Sequence, residues 1–466
     1  MALSDKIETA LIAPAATTGG HHLADELGET LKLAVPIALT QLGQIAMMTT
    51  DIALIGRFGS EAVAAASLAH TVYFVSFTFG MGLVSAVAPL AAQAFGARNP
   101  HRIRRSLRVG LWAALFIALP MMVLSFRGEP ILLMLGQSPV AADLAQQYLL
   151  GLTWSILPAL WFLAIRGFMS AVNRPEPILW ITLAAIPANA LLVYLLLYGA
   201  FGFPNLGLFG AGLATSIVNF GTLLAALWFV ARRRPFRKFH ALGHLWRIDW
   251  DLMRQLIVIG APISISFLLE YGLFGAAGLL MGVISTTALA AHQIALQVAA
   301  ILFMVPFGIS IAATVRVGHA IGRSDASGVR RAGLVATWLG IAIGAALTLA
   351  VMLSRFGIAK VFLGESTDAA AELSATLLLV GSTFFIADAI QTIAAGSLRG
   401  MNDTRIPLVF ATISYWLIGF PCAWWLAFHT PLGAVGVWIG LSVGTAVYAT
   451  LLLLRFRSLA RKLHFQ

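Results

Sequence analysis

Polar positions along this chain are gathered into short connectors, and between them lie long runs almost free of charge. Residues 256 to 285, for example, hold a single charged side chain, Glu270. A helix rises about 1.5 Å per residue, so roughly 20 such residues already cross a bilayer core. Read this way the chain has spans at about 32 to 56, 62 to 92, 106 to 126, 144 to 170, 177 to 201, 208 to 231, 255 to 282, 287 to 316, 332 to 354, 370 to 398, 406 to 427 and 432 to 454. Runs this long satisfy their own backbone as helices and do not alternate as barrel strands would. The expected fold class is therefore an all-α polytopic membrane protein with twelve transmembrane helices.

The two halves are duplicated. A shift of 226 places Pro36 on Pro262, "LIG" (54 to 56) on "LMG" (280 to 282), "AVAAASLA" (62 to 69) on "ALAAHQIA" (288 to 295), Gly82 on Gly308, Gly96 on Gly322, Gly207 on Gly433 and Ser216 on Ser442. One offset across a whole half is the mark of an internal repeat. With six spans in each copy, both copies enter from the same side, which makes the repeat parallel, about an axis along the membrane normal. The organisation expected is a cytoplasmic N-terminal segment (1–31), an N-lobe of six spans (32–231), a basic cytoplasmic linker (232–254), a C-lobe of six spans (255–454) and a cytoplasmic tail (455–466). Two pseudo-symmetric six-helix bundles follow.

Composition agrees: 59% of residues are hydrophobic and 11% charged, against roughly 25% charged in soluble domains. The net charge of +11 sits in connectors and not in a basic domain, so no nucleic-acid partner is expected. With the N-terminus inside, 26 of the 30 Lys and Arg side chains, Arg166 and Arg399 included, are assigned to the inner side. That bias places both termini in the cytoplasm. The single cysteine, Cys422, excludes an intrachain disulfide and a thiolate metal cluster. The first thirty residues hold Lys6, His21, His22 and several acids without a long apolar stretch. No removable signal peptide is expected there, and the first span serves as its own insertion signal.

Three carboxylates fall inside spans: Asp51, Glu270 and Asp388. Each is penalised by about 2.5 to 3.5 kcal/mol at mid-bilayer, so each should face protein or a wet cavity. Helical spacing puts Thr40, Gln44, Met47 and Asp51 on one stripe, Ser266 beside Glu270, and Gln391 and Thr392 beside Asp388. The repeat sets Gln44 at the position of Glu270. One reading is an acid neutralised by a resident Lys or Arg, but spans 1, 7 and 10 show no basic residue at matching depth. The other is an acid that holds a proton or a mobile cation in turn, as a transporter requires.

Weaker candidates for the cavity are Asn189, after Pro187, and Gln293 with Gln297, four apart and facing Glu270. His70, His292 and His319 read first as helix-to-helix hydrogen-bonders. A membrane protease needs a strained Gly-rich approach to one of two aspartates, which neither Asp51 nor Asp388 has. No G-x-x-x-x-G-K-[ST] phosphate loop occurs. An enzyme is thus not expected, and transport would draw on an ion gradient.

The stretches "VPIALTQLGQIAMMTTDIALIGRFG", "PLAAQAFGA", "PISISFLLEYGLF", "AAHQIALQ" and "FFIADAIQTIAAGSLRGMNDTRIPL" resemble the multidrug and toxic compound extrusion (MATE) family, in its NorM-like branch, from about residue 30 to 455. The resemblance implies a V-shaped MATE fold of two six-helix lobes. It also implies secondary-active, alternating-access efflux of organic cations and lipophilic drugs in exchange for Na+ or H+, with no cofactor beyond that coupling ion. Asp51 corresponds to a first-lobe acid that takes part in proton or substrate coupling. Glu270 and Asp388 correspond to second-lobe acids implicated in cation binding, where Na+ is the metal expected. Asn189 matches a first-lobe asparagine, while Ala185 departs from a second polar residue common in relatives. A monomer in the bacterial inner membrane, in contact with lipid, is the setting implied. The alternatives are a flippase for lipid-linked oligosaccharide or peptidoglycan precursors, whose anionic cargo would need basic residues inside the spans, and a non-transport structural membrane protein.

Overall fold

The computed structural model describes residues 23–364 and 368–463; the N-terminal positions Lys6, His21 and His22 lie outside them. Among the described residues twelve helices are long and apolar enough to cross a membrane: α1 Leu23–Gly56, α2 Ser60–Gly96, α3 Pro100–Phe126, α4 Pro139–Ala171, α5 Glu176–Tyr198, α6 Gly207–Arg232, α7 Trp250–Ile284, α8 Thr286–Gly322, α9 Ala326–Leu353, α10 Ala369–Gly400, α11 Arg405–Phe428 and α12 Ala434–Lys462. Several outrun their apolar runs. The helix of α1 already includes residues 23 to 31, and α12 continues to Lys462, because a helix ends where its backbone is capped and not where hydropathy falls. In α11, residues Thr412–Gly419 form a π-helical stretch.

Capping follows the duplication. Asn99 accepts from the Arg102 N–H at 3.1 Å to start α3, and Asp325 accepts from the Gly328 N–H at 2.9 Å to start α9. Both positions are 226 apart. Replacing either by Ala should lower stability by about 1 kcal/mol, read as a shift of the unfolding midpoint in detergent. Their acid responses should differ. Burial alone would raise the Asp325 carboxyl, but hydrogen bonds from Gly328 and Ser327, with Arg323 and Arg331 nearby, hold it below the usual carboxylate range. A depressed carboxyl contributes stability that is full above its ordinary pKa and is lost as pH falls through the folded-state value. Acidification should therefore weaken the α9 cap and leave the amide cap at Asn99 unchanged.

The helices gather into two compact units whose boundaries lie inside α1 and α7, not in the connector at 232 to 254. The first unit takes residues 39 to 264, and the second takes 265 onward together with residues 23 to 38. The opening arm of α1 thus belongs to the second unit, and the opening arm of α7 to the first. Glycine makes both attachments possible. A Cβ on Gly82 would lie 2.5 Å from the Ser264 Cα, and one on Gly308 would lie 2.7 Å from the Ala38 Cα, so only a bare backbone admits the arm. Gly82 and Gly308 are repeat equivalents. Ser264 Oγ adds a hydrogen bond to the Phe79 carbonyl at 2.6 Å. In the second unit Arg316 grips Glu26 through two hydrogen bonds of 2.9 Å.

Within the first unit α4 packs between α2 and α6, and within the second α10 packs between α8 and α12. Tyr148, Leu149 and a set of alanines form the first core; Trp438, Tyr415 and Phe384 anchor the second. The basic connector is docked on the first unit. Its Phe236 and Phe239 sit 6.2 and 5.9 Å from the Phe168 ring, Trp112 donates to the Leu245 carbonyl at 2.6 Å, and Arg105 pairs with Asp249.

Candidate functional site

In the second unit a small recess is lined by Glu270 and Ser266 of α7, Phe303 and Phe307 of α8, Gln391, Thr392 and Arg399 of α10, Tyr415 of α11 and Tyr448 of α12. Asp388 is 7% exposed and stands one hydrogen bond behind this wall: Gln391 Nε2 donates to its Oδ1 at 2.8 Å. Thr392 Oγ1 donates to the Asp388 carbonyl at 2.7 Å. Asp388 also borders a second recess, of about 280 Å³, with Phe385, Leu302 and Pro306. Glu270 and Asp388 are near enough to interact electrostatically. Among the described residues neither has an ion-pair partner in contact.

In the first unit Asp51 is 5% exposed. Asn189 Nδ2 of α5 donates to its Oδ1 at 2.5 Å, and Thr215 Oγ1 of α6 donates to Oδ2 at 3.3 Å. Three helices are thereby tied at one carboxylate. His70 meets Tyr148 at 3.2 Å, and His292 accepts from Trp438 Nε1 at 3.1 Å; both histidines join helices.

The MatE family model matches residues 36–195 and 262–425, once in each copy of the repeat. The chain belongs to the MatE family. It is 68% identical over 445 residues to the "Probable multidrug resistance protein NorM" of Bradyrhizobium diazoefficiens, covering 95% of this chain and 96% of the relative. It is 40% identical over 432 residues to the "Multidrug resistance protein NorM" of Burkholderia vietnamiensis, covering 92% and 93%. Its fold matches that of the eukaryotic MATE transporter AtDTX14 with a TM-score of 0.84 at 22% identity, over 94% of this chain and 98% of that one.

In this MatE chain the connector placement expected for Arg166 and Arg399 needs correction, while the glutamines of α1 and α8 expected at the cavity are found at the surface of their helices. Gln44 and Gln293 are exposed and Gln297 is partly exposed; neither glutamine of α8 lines the Glu270 recess. Arg399, assigned to an inner connector, lines that recess with Glu270, its guanidinium 5.0 Å from the Phe267 ring. It acts on Glu270 electrostatically. Arg166, assigned likewise, is 7% exposed within α4. Basic side chains do therefore occur inside the spans. Arg399 was legible in principle, since Asp388, Gln391, Ala395 and Arg399 follow one another at helical steps. Thr215 carried no distinguishing signal, being one of three hydroxyl side chains in its helix, with Ser216 and Thr222.

The polar wall of the recess sets one guanidinium, that of Arg399, among oxygen atoms. Carboxylate and hydroxyl oxygens dominate its polar wall, and Tyr415 Oη is buried with no hydrogen-bond partner among the described residues.

Proposed function

We propose that this protein is a secondary-active multidrug exporter that moves lipophilic organic cations outward in exchange for H+ or Na+ by alternating access. The observation that carries the reading is Glu270, a carboxylate in a recess of the second unit that interacts electrostatically with Asp388 and with Arg399 of the same wall, yet forms no salt bridge among the described residues. Such an acid is tolerated when a travelling positive species visits it. Coupling ion and drug compete for charges that one of them can neutralise at a time, so each state binds one of them better, which is the condition for exchange. The family membership and the multidrug-resistance names of relatives support a drug cargo over a lipid-linked one. Phe303 and Phe307 in the recess wall suit flat cationic rings. The setting proposed is a monomer in the bacterial inner membrane with both termini in the cytoplasm.

The test is dye efflux from vesicles under an imposed proton gradient and, separately, an imposed sodium gradient. One of the two should drive efflux that saturates with dye and stops when the gradient is collapsed. Efflux indifferent to both gradients would overturn the reading.

A further inference from the structure

The repeat allows each wall position of the Glu270 recess to be found in the first unit. The single offset of 226 expected from the sequence does not hold throughout: the cap pair Asn99 and Asp325 is 226 apart, Asn173 and Asn402, with left-handed φ of 63° and 60° just after α4 and α10, are 229 apart, and Gly207 and Gly433 are again 226 apart. The second copy has gained three residues between these points. In the later register Gly167 falls on Gly396, and Arg166 and Ser170 fall on Ala395 and Arg399, both of which line the recess. On the first span the offset of 226 holds, so Gln41 falls on Phe267, the ring that carries the Arg399 guanidinium.

Three wall positions therefore correspond to Arg166, Ser170 and Gln41 of the first unit, which are 7%, 1% and 4% exposed. All three bring hydrogen-bond donors with no acceptor. Ser170 Oγ and Gln41 Nε2 are buried with no partner among the described residues. The Arg166 guanidinium has no hydrogen bond, ion pair or ring contact among them either. A buried cation without a counter-charge is costly, and Asp51 does not relieve it. That carboxylate is held by Asn189 and Thr215, and it lies ten residues beyond Gln41 on α1, roughly 15 Å along the axis.

We propose that Arg166, Ser170 and Gln41 form a carboxylate-binding subsite near the C-terminal end of α4, which takes the acidic group of a small organic molecule. As a statement about how cargo is held it rests on the efflux reading. The guanidinium fork matches a planar carboxylate with two parallel N–H···O bonds, and the hydroxyl and amide N–H satisfy lone pairs the fork leaves open. The second unit has an alanine, Ala395, at the Arg166 position and an acid, Glu270, at the Gln44 position.

The experiment measures fluorescence anisotropy of dansylglycine, and of its neutral amide, on the purified full-length protein in detergent. The acid should bind at least roughly tenfold more tightly than the amide, and Arg166→Gln should weaken the acid by roughly tenfold to a hundredfold while leaving the amide unchanged. Arg166→Lys should recover part of the loss. Ser170→Ala and Gln41→Leu should each weaken acid binding a few-fold, which keeps the test open if the arginine variant does not fold. Equal binding of acid and amide, or acid binding indifferent to both the Arg166 and Ser170 changes, would overturn the subsite. Displacement of the acid by millimolar chloride would reassign it to inorganic anions. Binding in detergent needs no gradient, so a protein that binds the acid yet fails to expel dye would count against efflux and not against the subsite.

Discussion

Glu270→Gln and Asp388→Asn should each abolish gradient-driven dye efflux, at least tenfold below wild type, with undiminished insertion in the membrane. Both changes keep shape. Asn at 388 retains the Oδ1 that accepts from Gln391, and Gln at 270 keeps its place in the recess wall beside Ser266 and Tyr415. What each removes is the capacity to hold a proton or neutralise a cation. Neither carboxylate forms a salt bridge among the described residues, so a neutral isostere breaks no ion pair in contact and the loss should fall on transport. The comparison is dye efflux under the driving gradient, with the membrane-fraction level of each variant measured alongside. Vigorous efflux by both variants would show that neither carboxylate carries the coupling.

The second large effect concerns stability. Arg316 Nε and Nη2 each donate to Glu26 at 2.9 Å, and the two side chains are 11% and 5% exposed. Removing one partner leaves the other charge buried and uncompensated, at about 3 to 5 kcal/mol. Glu26→Gln and Arg316→Ala should therefore lower the unfolding midpoint in detergent far more than the loss of an exposed pair such as Lys32 with Glu29, which has side-chain exposures of 75% and 47% and contributes less than about 1 kcal/mol. The reversed pair, Glu26→Arg with Arg316→Glu, should regain part of the loss. Midpoints unchanged in both single variants would mean that the arm of α1 is held by its glycine contact alone.

Much of this architecture is written in hydropathy. The twelve spans and the duplication follow from runs and offsets, and the buried acids stand out because a lone charge in an apolar run has few uses. The errors have identifiable causes. Arg166 and Arg399 lie within the last turns of α4 and α10, where a hydropathy window cannot separate a cation pointing into the bundle from one in a connector. Thr215 acquires meaning only through the carboxylate it reaches.

The exchange of arms has a consequence for the gene. Neither half of the coding sequence encodes a whole unit: a product ending in the 232 to 254 connector leaves Gly82 and its groove without the segment ending at Ser264, and one starting there leaves Gly308 without Ala38. Each fragment would expose a bare backbone groove to lipid, and two fragments made apart would have to find each other before either could finish packing.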